Sequence, residues 1–521
     1  MNQKREVVAA LDVGSNLVRM SIAQIEPNGE IQILEDLEKN TNLGRDSFVY
    51  ERIQNETIME LCEIIKGYTK LMRDYRIKHF RVVGTSAVRE AKNRDYILDQ
   101  VRLKTGIDIE VINNAEERFF MYKALRDYLL NTKFMNKKGS LIVDIRSGGV
   151  EVSVYSDNKL KFTEYLKIGS LRLREILADL QKRTLHFSSI LQEYIKSEID
   201  FLKSNIKGTR IDNFIGLGGE LKTILKLCEM ENVIEDKDRL GGIRTISRDT
   251  FEKLFEKINH LTTEQIQEKF KLQKNQAEIL LPSIVLFRSF LHMTNSDGIY
   301  APFLSLRNGI LADIADQWYD TSRKKKIIDD IISLVWNIGR KYFIDEQHSA
   351  YIEKTALTIF DQTRRYHNLG QRERFYFSVS AILHDVGKYI NYNSHDIHSY
   401  NIIQYQDIMG FSERELNIIA NIVRYHEQDL PDHSHEKYSI LDERDRITVS
   451  KLAAILRLAE ALDVSHKQKI SDFEVSTHKN ELIFKVTSKE DILLEQWNFL
   501  QVSGFFEDVM GVRPIIIQKK I

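Results

Sequence analysis

The feature that most restricts the fold is a strand–turn–strand pattern that occurs twice. EVVAALDVGSNLVRMSIAQIE runs apolar into a turn led by Asp12, and SLIVDIRSGGVEVSVYS does the same around Asp144. Alternating apolar residues enter and leave a short run of small residues, which reads as strands and not as helix. A further strand-like run follows each pair: IQILEDLEK after the turn Pro27-Asn28-Gly29, and LKFTEYLKIG in the second case. ETIMELCEIIKGYTKLMRDY then reads as a helix, FRVVGTSAV and IDIEVI as strands, and the stretch from about Glu116 to Leu130 as a helix. FIGLGGELKTILKL supplies another strand, glycine turn and helix. Two units that open alike and then alternate β and α are expected to form an internally duplicated α/β fold.

The turns also suggest chemistry. Glycine lets backbone N–H groups approach a phosphate closely, and a strand-end aspartate can hold Mg²⁺ or orient water. LDVGSN offers Asp12, Gly14, Ser15 and Asn16; VDIRSGG offers Asp144, Ser147, Gly148 and Gly149; IGLGGE offers Gly218 and Gly219. Each alone is also a good hairpin turn. Together, with two led by Asp, they suit a phosphate cleft between twin domains.

DVGSN, GTSAVREAKN, the acidic pair of VINNAEERFF, VDIRSGGVEV, LKIGSLRL and IGLGGELKT follow one another in the order of the exopolyphosphatase/guanosine-pentaphosphatase (Ppx/GppA) family. From about Val7 to Ile314, ending in LSLRNGIL, the chain resembles that family. The resemblance implies a duplicated actin/Hsp70-like (ASKHA, ribonuclease H-like) pair of domains, with phosphoanhydride hydrolysis in the cleft between them and Mg²⁺ as cofactor. It makes Glu117 the catalytic glutamate that directs water, and Asp12, Asp144 and Glu151 the acids for metal. Gly14, Ser15, Asn16, Arg89, Ser147, Gly148, Gly149, Gly218 and Gly219 become the phosphate-binding set. Each has a structural alternative. Asn114 and Glu117 have capping-box spacing, and Arg89 could pair with Glu90 instead of phosphate.

The chain departs from the family's usual Asp-Ile-Gly-Gly-Gly-Ser-Thr-Glu at Asp144-Ile145-Arg146-Ser147-Gly148-Gly149-Val150-Glu151. Acids at both ends are kept, but Arg146 and Ser147 stand at glycine positions. Leu17 replaces a small hydroxyl residue in the first loop, and Asn308 stands where Glu is usual in the LRNG turn. Arg146 brings a cation toward a polyanionic substrate.

From about Asp316 the sequence becomes helical, and nine of the 14 histidines fall between His348 and His466. ILHDVGK carries His384 and Asp385, with His348 before and Asp463 in AEALDVSH after. His and Asp on packed helices can converge on one divalent metal. His398 and His426 could hold a second, with His395 as the substitute for His398. Lys388 could meet a phosphate. This segment resembles the HD superfamily of metal-dependent phosphohydrolases and the third domain of longer Ppx/GppA proteins. FEVSTHKNELIFKV and VRPIIIQ then return to strand alternation. The expected division is 1–127 and 128–315 for the twin domains, 316–470 for an all-α HD-type domain, and 471–521 for a small α/β domain.

Charge is balanced, at 75 basic and 76 acidic residues, so any anion site must be local. No aromatics are interleaved with a basic stripe, which gives no case for nucleic acid. No run is long and apolar enough for a membrane span, and two cysteines fit a reducing cytoplasm. Three functions follow. The first is an exopolyphosphatase-like hydrolase acting on inorganic polyphosphate, with guanosine pentaphosphate as another substrate. The second moves the reaction to the HD-type domain. The third is a non-enzymatic sensor of polyphosphate or an alarmone. Longer relatives imply a homodimer.

Overall fold

The two Asp-led hairpins sit at equivalent places in two sheets. In the computed structural model, β1 (Glu6–Val13) pairs antiparallel with β2 (Leu17–Ile25), and β2 pairs antiparallel with β3 (Ile31–Asn40). On its other side β1 lies parallel to β4 (His79–Gly84), followed by β5 (Glu110–Val111). The order is β3-β2-β1-β4-β5. The second sheet uses β6 (Gly139–Ile145), β7 (Val150–Ser156), β8 (Lys159–Leu166), β9 (Ile211–Leu217), β10 (Arg239–Leu240), β11 (Ile243–Ser247) and β12 (Gly298–Ala301). Its order is β10-β11-β12-β9-β6-β7-β8, so β8-β7-β6-β9-β12 repeats the first sheet with β10 and β11 added at one edge. This is the duplicated α/β arrangement that the hairpins imply. The structure describes residues 5–130, 139–157, 159–184, 187–206, 209–230, 239–240, 243–319, 321–479 and 481–519.

Sequence explains why β1 and β6 are central. AALDV in β1 is fully buried, as is all of GSLIVDI in β6, the pattern of strands covered on both faces. Strand β3 is mostly exposed and carries Glu35, Asp36, Glu38 and Lys39, charges that discourage edge-to-edge pairing. Helix Asn55–Asp74 places Ile58, Leu61 and Ile65 in one core with Leu11 and Met20. Helix Lys274–Leu291 places Leu280, Ile284 and Phe287 in the other with Leu141 and Val143.

FRVVGTSAV is not one strand. Strand β4 ends at Gly84, and the Arg89 amide donates to the Thr85 carbonyl at 2.9 Å, so Ser86–Glu90 forms a short helix. That turn carries Arg89 to the end of the sheet. Asn308, at the unusual LRNG position, caps the helix Leu306–Trp318: its Oδ1 accepts from the Ser305 amide at 2.9 Å.

The chain divides into two compact units, Met1–Ile331 and Ile332–Ile521. The second is built from helices Glu346–Gln362, Gln371–Leu383, His395–Gln404, Glu413–Arg424 and Glu443–Ala461. It ends in a sheet of β13 (Asp472–His478), β14 (Glu481–Thr487) and β15 (Arg513–Lys519), with helix Leu493–Met510 between the last two strands. Among the described residues no helix is long and apolar enough to cross a membrane.

Candidate functional site

In the first unit both hairpin turns close in one way. The Gly14 amide donates to the Leu17 carbonyl at 3.1 Å, and the Arg146 amide donates to the Gly149 carbonyl at 3.0 Å. Ser15 and Ser147 are therefore equivalent, as are Asn16 and Gly148, and Arg146 stands where the first turn has Gly14. Carbonyls of the second turn are tied down from the Ser170–Ile176 helix. Ser170 N donates to Arg146 O, Arg172 N to Ser147 O (3.0 Å each), and Arg172 Nε to Gly148 O at 2.7 Å. The glycines are sterically required. A Cβ on Gly148 would lie 2.4 Å from Ser86 Oγ, and one on Gly218, at φ +123°, 2.1 Å from the Ile145 carbonyl oxygen. Gly219 begins the helix that follows. Ser15 Oγ is 3.0 Å from Ser86 Oγ, linking the first turn to the Arg89 segment.

Glu117 is not the helix cap. The reciprocal box is Asn113 with Glu116: Asn113 N donates to Glu116 Oε2 at 3.0 Å, and Glu116 N donates to Asn113 Oδ1 at 2.7 Å. Glu117 instead accepts from Arg146 Nη1, and its Oε2 accepts from Arg89 Nη1 at 3.3 Å. Arg89 also donates to Ile112 O at 2.7 Å and to Asn114 Oδ1 at 2.5 Å, while Glu90 pairs with Arg172 at 2.6 Å. Arg146 and Arg89 keep 23% and 17% of their side chains exposed against 7% for Glu117, so an incoming anion meets the guanidinium groups first.

Sheet register fixes the acids. Asp144 lies directly across from Glu151, and Asp12 across from Arg19. Like charges in that relation repel. Arg118 relieves Glu151 through a buried contact, Nε donating to Oε2 at 2.6 Å, and Arg146 relieves Asp144. Burial first, then the charges of Glu151 and Glu220, push the Asp144 carboxyl up to about 8; the Arg19 charge works against that push. Glu220, whose Oε1 accepts from Ser170 Oγ at 3.2 Å, belongs to this acid group too. Its signal in the sequence was its place in the first helical turn after Gly218-Gly219. Arg118→Ala should lower stability by about 3–5 kcal/mol in denaturant unfolding, because it strands a buried carboxylate.

This donor set does not fit the Mg²⁺ ion expected at Asp12, Asp144 and Glu151. Asp144 Oδ2 already accepts from Arg146 Nε at 2.7 Å and lies 2.6 Å from Nη2, and Glu151 is paired with Arg118. Asp12 Oδ1 and Glu151 Oε1 are buried without hydrogen bonds, but the Arg146 guanidinium sits on Asp144 Oδ2, and a cation bound there would have to displace it.

The second unit has a different donor set. His348 Nδ1 lies 2.9 Å from Asp463 Oδ2, His384 Nδ1 2.8 Å from Ala381 O, His395 Nδ1 3.0 Å from Tyr392 O and His426 Nδ1 2.6 Å from Val423 O. With every Nδ1–H committed to an oxygen acceptor, every Nε2 presents a lone pair. These point at one another and at acids. His395 Nε2 is 3.2 Å from His426 Nε2, and His384 Nε2 is 2.8 Å from Glu460 Oε1. Facing lone pairs repel unless a proton or a metal lies between them. His348 Nε2, His384 Nε2 and Glu460 Oε1 are buried without hydrogen-bond partners.

Two groups able to hold a metal ion result: His348, His384 and Glu460, and Asp385, His395 and His426. Asp385 faces both, with Oδ2 3.3 Å from His384 Nε2 and Oδ1 3.1 Å from His395 Nε2; Lys388 reaches Oδ2 at 2.6 Å. Burial first, then the His384 charge, pushes His426 down to about 3, which keeps it a neutral ligand. His395 takes the place foreseen for His398, which is only half-buried one turn further along the helix. Asp463 is not at the ligand positions, because both its oxygens are used: Oδ2 by His348 and Gln468 Nε2, and Oδ1 by the Gln468 amide at 2.6 Å. Glu460, in the last turn of helix Glu443–Ala461 that ends just before Asp463, offers the carboxylate instead. Its three-residue spacing from Asp463 was the available signal.

The description "Ppx/GppA phosphatase family" matches residues 21–318, and "Ppx/GppA phosphatase, domain III" matches residues 333–502. A guanosine-5'-triphosphate,3'-diphosphate pyrophosphatase of Photobacterium profundum is 20% identical over 480 residues, covering 91% of this chain and 90% of that protein. Its counterpart in Vibrio vulnificus is 21% identical over 478 residues, covering 89% and 88%. An exopolyphosphatase structure from Cytophaga hutchinsonii superposes with a TM-score of 0.52 at 20% identity, over 60% of this chain and 98% of that one, a likeness of fold. With more than half of its length matched by the family description, and most of the remainder by that of its third domain, the chain belongs to the Ppx/GppA phosphatase family.

Proposed function

We propose that the first unit is a phosphoanhydride hydrolase that releases terminal orthophosphate from inorganic polyphosphate or from guanosine pentaphosphate, in the cytoplasm. The observation that carries this reading is Glu117. It is spared from capping by the Asn113–Glu116 pair and held between two arginines that come from phosphate-loop segments. A terminal phosphate would displace Glu117 from the part-exposed guanidinium groups of Arg89 and Arg146, whose forks suit phosphate oxygens. Glu117, freed from those forks, would accept a proton from water as the water oxygen bonds to phosphorus and the bridging P–O bond breaks. Positioning and charge stabilisation supply most of the acceleration in such transfers. Orthophosphate release from both substrates, with Glu117→Gln beside wild type, tests it.

A second reading has its own observation, the four inward Nε2 lone pairs of the second unit. His348, His384 and Glu460 would hold one divalent metal and His395 and His426 another, with Asp385 serving both. Bound divalent metals there would polarise a phosphoryl oxygen and activate water. Asp463 would fix the His348 tautomer and ring plane. Asp463→Asn should weaken metal affinity about 10–100-fold, as loss of such an orienting partner does elsewhere; metal titration followed by calorimetry measures it.

A further inference from the structure

We infer that Arg146 is the resident cation of the first unit's cleft, seated between Asp144 and Glu117 where a divalent metal would otherwise be needed. This rests on the reading of that cleft as an anion-handling site. Three observations support it. The guanidinium spans two acids from different elements: Nε and Nη2 both approach Asp144 Oδ2, at 2.7 and 2.6 Å, and Nη1 meets Glu117. Nε donates to that oxygen and Nη2 lies against it, so a metal bound to Asp144 Oδ2 would have to displace the guanidinium.

The second observation is the duplication. The two hairpin turns are equivalent, closing through Gly14 N to Leu17 O and Arg146 N to Gly149 O. The first turn presents no side chain at the position from which the second sends a guanidinium into the acids. Cross-strand charge differs to match. Asp12 has Arg19 opposite it in the ladder, whereas Asp144 has Glu151. The half of the cleft whose ladder pairs two acids is the half whose turn carries the extra arginine.

The third is containment. The Arg146 carbonyl accepts from Ser170 N and that of the next residue, Ser147, from Arg172 N, so the backbone that carries the guanidinium is anchored to the Ser170–Ile176 helix. A guanidinium stays charged at any ordinary pH and brings a planar set of donors suited to phosphate oxygens. The cleft therefore meets a phosphoanhydride with a fixed monovalent cation of its own, and needs no tightly held metal to offset its acids.

Counting Mn²⁺ ions bound per full-length chain, by electron paramagnetic resonance, tests this without any turnover. Wild type and Asp144→Asn should bind equal numbers, since any sites they share lie in the second unit. Arg146→Gly, which copies the first turn, should bind one more, and Arg146→Gly with Asp144→Asn should lose it again. Arg146→Lys, which keeps the charge, should gain none. One Mn²⁺ fewer in Asp144→Asn than in wild type overturns the inference, as does an Arg146→Gly protein that gains none. Should Arg146→Gly fold poorly, thermal unfolding decides between the same alternatives. A Mn²⁺-dependent rise in Tm shared equally by wild type and Asp144→Asn supports a cleft without metal, and a rise lost in Asp144→Asn contradicts it. If wild type releases no phosphate from either substrate, the hydrolase reading fails while the ion count still stands.

Discussion

Glu117→Gln should reduce orthophosphate release by about 10²–10⁴-fold, the usual worth of a positioned general base. The substitution keeps the side chain's size and removes only its ability to take a proton. Arg146 and Arg89 donate to different oxygens of Glu117, so the amide oxygen keeps one guanidinium and the other is left to the substrate, and binding should change little. The expected signature is a fall in kcat with a nearly constant KM, the mark of an interaction made mainly in the transition state. A structural role for Glu117 would instead lower the yield of folded protein and raise KM. Steady-state kinetics with polyphosphate of defined length, beside a melting curve, separates the two.

Asp385→Ala should strip the second unit of the divalent metal proposed for it. Asp385 is the carboxylate that touches both ligand groups, Oδ2 toward His384 and Oδ1 toward His395. Elemental analysis of purified protein should show bound divalent metal falling by about half or more, given that even an orienting residue is worth about 10–100-fold in affinity. Metal that binds only the native state stabilises by mass action, about 4 kcal/mol at a thousandfold excess over Kd. Wild type should accordingly lose thermal stability on chelation, and Asp385→Ala should lose less. Equal metal content in the two proteins would dismiss the centre.

The duplicated sheet was legible because apolar alternation and small-residue turns are local signals, and both hairpins carried them in the same order. FRVVGTSAV misled because its residues suit a strand until Thr85, where one backbone bond to Arg89 starts a helix. The Asn114–Glu117 spacing offered an alternative to catalysis for a related reason. VINNAEERFF offers two overlapping boxes, and only the helix start decides that Asn113 and Glu116 form it. Arg146 was visible as a departure, but its reach to both Asp144 and Glu117 depends on packing between distant elements. In the second unit, residue types announced a metal site while the choices of His395 over His398 and Glu460 over Asp463 did not. Each is a matter of which turn of a helix faces inward, set by contacts such as Gln468 on Asp463 that lie beyond a motif's span.

The most direct measurement of the central claim is orthophosphate release from long-chain polyphosphate, with Mg²⁺ present, by wild type, Glu117→Gln and Asp385→Ala in parallel. If the chemistry belongs to the cleft of the first unit, wild type and Asp385→Ala release phosphate at comparable rates and Glu117→Gln does not. Release that survives in Glu117→Gln and disappears in Asp385→Ala would contradict that assignment and give the reaction to the histidine cluster.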